Sequence, residues 1–258
     1  MLMPTVFVSH GAPDIVLQQD SPTLACWQQL GKSLPRPKAI LVLSAHWTST
    51  NPTLSTVAKP ATIHDFGGFP NRLYRLQYPA HGVPELAAQV QACLSNAGIP
   101  LRIDNQRGLD HGAWIPLMIM YPDADIPVTQ LSIQPNAGTA WHLQLGKALQ
   151  PLREQGVLIL TSGAVTHNFA WLSRSDKPLP AAQIFSDWLG DHLRQRNIDK
   201  LLNYRDNVAP FGADSHPTEE HLLPLFVSLG ASTAEDKLTR YTPEFTYSAL
   251  AMDAYVWQ

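Results

Sequence analysis

Three stretches of this chain carry apolar residues with almost no alternation: residues 5–9 (Thr-Val-Phe-Val-Ser), 38–44 (Lys-Ala-Ile-Leu-Val-Leu-Ser) and 157–162 (Val-Leu-Ile-Leu-Thr-Ser). A strand with one wet face alternates apolar and polar side chains. A short run without alternation needs cover on both faces, which is the condition of a parallel strand in an α/β sheet. Segments with helical periodicity separate these runs. The spacing predicts helices over 22–30, 84–96 (Leu86, Val90 and Leu94 on one face), 114–120, 140–154, 185–194 and 217–229. Further strands are expected at 53–57, 127–133 and 246–252. Strand and helix in alternation give a three-layer α/β fold with a mostly parallel central sheet. At 258 residues, one such domain over 1–258 is sufficient.

Each apolar run leads into a turn that carries a histidine. Ser9-His10-Gly11 follows the first and Ser44-Ala45-His46-Trp47 the second. The third leads to Ser162-Gly163-Ala164-Val165-Thr166-His167-Asn168. In open α/β sheets the ligand crevice lies beyond the carboxyl ends of the strands. One histidine at a strand end is more simply a polar cap. Two at equivalent ends of strands that follow one another in sequence, and are therefore expected to be neighbours, point to a metal. A third ligand is sought in His216-Pro217-Thr218-Glu219-Glu220-His221, read as the start of a helix with Pro217 in its first turn. There a three-His site would use His221, and a 2-His-1-carboxylate site would use Glu219 or Glu220. The plainer reading of those glutamates is charge complementarity at a helix N-terminus.

His111, in Asp110-His111-Gly112-Ala113-Trp114, and His167 read as proton-transfer groups or extra ligands. His142 and His192 lie on amphipathic segments and are expected to face solvent. The long span 55–84 holds Ile63-His64-Asp65-Phe66-Gly67-Gly68-Phe69-Pro70. Such an aromatic, glycine-bearing loop suits a pocket wall. His64, Phe69 and Trp47 are candidate substrate contacts.

Other classes fit poorly. A net charge of −3 offers no basic surface for nucleic acid or anionic membrane. No apolar stretch is long enough to span a bilayer. The N-terminus lacks the basic region of a signal peptide, and the cysteines, Cys26 and Cys93, fit a reducing compartment, so a cytoplasmic location is expected. No nucleophile elbow, phosphate-binding loop, dinucleotide fingerprint or His-Glu-x-x-His helix is present.

Taken together, Ser9-His10-Gly11-Ala12-Pro13, Ser44-Ala45-His46-Trp47, Asp110-His111-Gly112-Ala113-Trp114, Ser162 to Asn168 and His216 to His221 resemble the 4,5-DOPA extradiol dioxygenase family. That family belongs to the class III, LigB-type extradiol ring-cleaving dioxygenases, and the aromatic loop 65–70 followed by Leu73-Tyr74 fits it too. The resemblance runs over essentially the whole chain. It implies a LigB-like (phosphorylase/hydrolase-like) fold and a non-haem, metal-dependent enzyme. Such an enzyme uses O₂ to open the ring of a catechol such as DOPA, by 4,5-cleavage to the seco product. It implies His10, His46 and His221 as ligands of one divalent metal, Fe(II) for activity with Zn(II) as another occupant. It implies His167 as base or fourth ligand and His111 as a second active-site histidine. The alternative on the same residues is a zinc-dependent hydrolase.

Overall fold

The computed structural model describes residues 2–175 and 177–258. Its strands are β1 (Thr5–Ser9), β2 (Ala39–Ser44), β3 (Thr53–Ser55), β4 (Arg102–Asp104), β5 (Val128–Gln130), β6 (Val157–Gly163), β7 (Leu238–Tyr241), β8 (Phe245–Thr246), β9 (Leu250–Ala251) and β10 (Ala254–Trp257). The helices are α1 (Pro22–Ser33), α2 (Leu86–Asn96), α3 (His111–Met120), α4 (Gly138–Leu149), α5 (Pro180–Arg194), α6 (Ile198–Leu202), α7 (Tyr204–Asn207), α8 (Phe211–Ser215) and α9 (Leu223–Ala231).

The central sheet has the order β5-β2-β6-β1-β10-β7. β5, β2, β6 and β1 are parallel, while β10 and β7 close one edge antiparallel. The mostly parallel α/β expectation is met. Both faces are covered, and the period of two assigns each residue to a layer. Val6, Val8, Ile40, Val42, Leu158 and Leu160 pack with Trp27 and Leu30 of α1 and Trp114 and Leu117 of α3. Leu41, Leu43 and Ile159 face Leu145 and Leu149 of α4 and Val227 of α9. Phe7 packs with Phe185 and Leu189 of α5 on that same side.

Four sequence expectations need correction. β1 and β2 are not neighbours, because β6 lies between them and pairs with both. β6 is buried at every position, so it takes a slot with a partner on each side. Second, 217–222 is not helical. The His221 carbonyl accepts from Ala164 N at 2.8 Å instead of from a following helical turn, and α9 begins only at Leu223. Third, the late strand at 246–252 is split into β8 and β9 by Tyr247 and Ser248, whose φ values are 50° and 64°. The late strands that join the central sheet are β10 and β7, neither of which the sequence pattern predicted. Fourth, His142 is fully buried rather than solvent-facing. Its Nδ1–H donates to the Gly138 carbonyl at 2.6 Å and its Nε2 accepts from Gln134 N at 3.2 Å. Burial lowers its pKa to about 4, so it stays neutral. His192 is partly exposed.

The frame is clamped by Arg153, which is fully buried. It donates to the Met3 carbonyl just before β1, to the Ala231 carbonyl at the end of α9 (2.8 Å), and to Asp236 (2.6 and 2.9 Å). Removing one partner of a buried pair strands the other charge. Arg153→Met should therefore destabilise the protein by about 3–5 kcal/mol, read from urea unfolding. Burial acts to raise the Asp236 pKa, but the hydrogen bonds and charge of Arg153 outweigh it, and the net shift is downward from 3.8. A depressed folded pKa gives stability that is present above the unfolded value and lost as pH falls through the folded one. Between pH 5 and pH 2 the native protein should lose more stability than Arg153→Met does.

Candidate metal centre

Three imidazoles meet beyond the carboxyl end of the sheet. His10 follows β1, His46 follows β2, and His221 precedes α9. His46 Nε2 lies 3.0 Å from His10 Nε2 and 3.3 Å from His221 Nε2. The ligand-type atoms of the three all fall within 4.8 Å of one another. Nitrogens bound at about 2.0–2.1 Å around a tetrahedral metal would sit about 3.3 Å apart. The cluster matches that span.

The backbone at the end of β6 holds all three segments. Ser162 O accepts from Ala45 N at 3.0 Å, and Gly163 O accepts from His10 N at 2.9 Å. Ala164 N donates to His221 O at 2.8 Å. Gly163 is required for the last contact, since a Cβ there would lie 2.0 Å from the His221 carbonyl oxygen. Gly11, with φ of 63°, turns the chain sharply after His10, where a Cβ would strike Met252.

Outward hydrogen bonds orient the rings. His10 Nδ1–H donates to Ser162 Oγ at 2.9 Å, and His221 Nδ1–H donates to Glu220 Oε1 at 3.1 Å. With Nδ1 protonated, each Nε2 lone pair is left facing inward, as metal-binding imidazoles require. His46 is fixed through its backbone. Its N–H donates to Ser44 Oγ at 3.1 Å, and Ser44 in turn donates to the fully buried Asp110 at 2.7 Å. Arg107 bonds both the His46 carbonyl and Asp110, and Gln130 donates to Asp110 as well. Asp110 therefore serves His46, not its neighbour His111.

The rings stay unprotonated. Burial is the main cause of lowering for His10, His46 and His221, and for His10 and His221 the neighbouring imidazoles add to it. For His46 the charge of His111 also lowers the pKa while Asp65 opposes it, leaving the value at about 3. Neutral imidazoles with converging lone pairs suit a divalent cation, and nothing within the cluster itself offsets their mutual repulsion.

Two other groups of ligand-type residues adjoin the first: His46, Asp65 and His111, and His167, Glu220 and His221. In the former, Asp65 Oδ1 already accepts from both His111 N and His111 Nδ1, each at 2.9 Å. Burial disfavours the Asp65 charge, but these bonds outweigh it and hold the pKa at about 2. In the latter, Glu220 meets His221 on the side turned away from the three Nε2 atoms. His167 stacks on His221 with ring centroids 3.4 Å apart and planes within 9°. Burial lowers its pKa too.

His10, His46, His111, His167 and His221 all line one cavity of about 350 Å³, together with Asp65, Phe66, Phe69, Phe169 and Met252. Of the weaker substrate candidates, only Phe69 lines it. His64 packs behind the wall, with Nε2–H donating to the Leu76 carbonyl at 3.0 Å and its ring against Trp114. Trp47 lies under the Arg107 guanidinium, 5.3 Å from its ring centre. His216 is buried away from the cluster, its Nε2–H donating to the Val165 carbonyl at 2.8 Å. Glu219 accepts from the Tyr204 hydroxyl at 3.1 Å. The sequence reading missed Asp65 as the partner of His111, and missed the orienting roles of Ser162 and Glu220. A carboxylate inside the aromatic loop was the available signal for Asp65.

Residues 3–256 match the family described as the catalytic LigB subunit of aromatic ring-opening dioxygenase. The chain is 43% identical over 238 residues to a 4,5-DOPA dioxygenase extradiol of Beta vulgaris, covering 90% of this chain and 88% of that one. It is 43% identical over 244 residues to a protein of the same name from Escherichia coli K12, covering 92% and 88%. A crystal structure of an uncharacterized protein of Escherichia coli K12 superposes with a TM-score of 0.83 at 36% identity, covering 98% of this chain and 99% of the other. The chain belongs to the LigB family and is a ring-cleaving dioxygenase by kinship, as the motifs imply. The family implies a metal, and the three-His group supplies a donor set that fits one. Among the described residues no helix is long and apolar enough to cross a membrane.

His221→Ala should lose most bound metal, and His216→Ala should lose little, measured by metal content after reconstitution and desalting. Ser162→Ala, which removes only the partner of His10 Nδ1, should weaken metal affinity by about 10–100-fold in a competition titration. Equal metal retention in His221→Ala and the native protein would contradict the assignment.

Proposed function

We propose that this chain is an iron(II)-dependent extradiol dioxygenase, which inserts O₂ beside the two hydroxyls of a catechol and opens the ring, as in 4,5-cleavage of DOPA to its seco product. One observation carries the reading: three neutral imidazoles converge at the floor of an aromatic-walled cavity in a chain of the LigB family. In this reading His10, His46 and His221 hold the metal. Bound iron(II) supplies a Lewis acid for the catechol oxygens and a redox-active centre for O₂, whereas zinc supplies only the first.

The remaining work falls to the side chains. His167 is neutral and faces the cavity, so it can accept the second phenolic proton as the catechol binds. Stacking on His221 fixes its ring plane. It lies outside the group formed by His10, His46 and His221, which favours a proton role over a fourth ligand. His111 donates through Nδ1 to Asp65, which leaves Nε2 as the atom that exchanges a proton with the ring-opening oxygen. Asp65 is a positioning residue for His111 in the way that a carboxylate orients a catalytic imidazole. Phe66 and Phe69, edge to face at 5.6 Å, keep water from the floor and give the aromatic ring a surface to lie against. The zinc-dependent hydrolase rests on the same three imidazoles and has no separate observation in its favour.

The test is anaerobic loading with iron(II), followed by catechols in air. Oxygen uptake with a yellow ring-opened product is expected from the iron form and not from the zinc form. His111→Ala should keep its iron and lose about 10²–10⁴-fold in kcat. His167→Ala should show a similar loss in turnover with at most partial loss of metal. Near-normal kcat in either iron-loaded variant contradicts its proton role. Complete metal loss in His167→Ala would make it a ligand.

A further inference from the structure

We infer that the cavity selects a catechol whose ring carries an uncharged, apolar substituent over one that carries an amino-acid side chain; this rests on the ring-cleavage reading above. The floor of the cavity is His10 and His221, which are 4% and 5% exposed. The mouth is Phe169, Leu172 and Tyr247, which are 69%, 38% and 39% exposed. Among the described residues six large apolar side chains are this exposed, and three of them stand on this one rim. Singly exposed apolar side chains are ordinary, but a cluster around a cavity mouth marks a binding surface.

The rim is tied together. Ser173 N donates to the Tyr247 carbonyl at 3.0 Å, and the Ser173 and Ser248 hydroxyls are 2.8 Å apart. Tyr247 and Ser248 both hold left-handed backbone without being glycine, a conformation kept only where surrounding contacts fix it. A catechol held by its hydroxyls at the floor points its ring substituent toward this rim.

Among the described residues no lysine or arginine lines the cavity. A substituent carboxylate between floor and rim would shed water without a cationic partner, which is unfavourable. Among the described residues, Asp65 is the one carboxylate in the lining; it sits beside His111 and His46 at the floor end and is engaged by His111. Asp65 is at the wrong end to receive a substituent ammonium, and Asp14, beside the Tyr247 hydroxyl, is not part of the lining. An alkyl chain against Phe169 and Leu172 gains from every buried methylene.

Zinc-loaded protein allows binding to be read without turnover. Calorimetric titration should give affinities that rise about three- to fourfold per methylene from catechol through 4-methyl-, 4-ethyl- and 4-propylcatechol. 4-Propylcatechol should bind at least about tenfold tighter than 3-(3,4-dihydroxyphenyl)propionate, DOPA or 2-(3,4-dihydroxyphenyl)ethylamine. kcat/KM of the iron form should follow the same order. Truncating the rim in Phe169→Ala/Leu172→Ala should compress the ratio between 4-propylcatechol and catechol. A flat alkyl series, an unmoved ratio in the rim variant, or DOPA bound as tightly as 4-propylcatechol overturns the inference. If catechols of both kinds are opened and DOPA matches the alkyl series, ring cleavage stands and only the selectivity falls. If no catechol binds or is opened, the ring-cleavage reading falls and the selectivity with it.

Discussion

The last residues of β6 are the hinge on which the centre depends. Ser162 and Gly163, with Ala164 just beyond the strand, give their backbone groups to three segments far apart in sequence, next to His46, at His10 and at His221. Ser162 adds its hydroxyl to the His10 ring. A parallel strand running between two others can do this because its carboxyl end projects between theirs. No strand at the edge of the sheet reaches both neighbours. The position of β6 between β1 and β2 is therefore what lets three imidazoles share one point.

That convergence is electrostatically demanding. Three protonated histidines with ligand nitrogens within 4.8 Å of one another would repel strongly, and burial already disfavours charge on each. Keeping the rings neutral leaves inward-facing lone pairs that suit a shared cation. The surrounding network holds the rings against this repulsion from outside, through Glu220 on His221 and the Asp110–Ser44 relay on the His46 backbone. Asp110 is bonded to residues from β2, from β5 and from the loop before α3, so the rigidity of the centre is drawn from the sheet itself. The cavity above it is walled by the 65–70 loop and the β8–β9 turn, and there substrate chemistry can vary without disturbing the centre.

Much of this was readable in the amino-acid string, and the failures have physical causes. Unbroken apolar runs located β1, β2 and β6, and the histidines that follow them, because a doubly covered strand leaves no choice of residue type. The same signal said nothing of strand order, since pairing of β6 with both β1 and β2 depends on crossovers that no local pattern encodes. His221 was legible as a candidate, but the segment around it looked helical; the proline and glutamates suit a helix start, and only the long-range bond from Ala164 shows why it is not one. His142 has the surroundings of an amphipathic helix yet is buried, because the Gly138 carbonyl and Gln134 N–H satisfy both of its nitrogens. β10 escapes the pattern because the apolar signal of 246–252 reads as the last strand, whereas the strand that pairs with β1 is Ala254–Trp257. The Asp65–His111 pair joins residues 46 positions apart, and such partners become visible only when the aromatic loop is folded over α3.

The account turns on where a metal binds, and three adjacent groups of ligand-type residues compete for it. Anomalous diffraction from iron(II)-loaded crystals, recorded on both sides of the iron absorption edge, tells them apart directly. The account predicts one peak per chain, at about 2.0–2.2 Å from the Nε2 atoms of His10, His46 and His221 together. A peak coordinated by Asp65 and His111, or by His167 and Glu220, in place of His10 would contradict it.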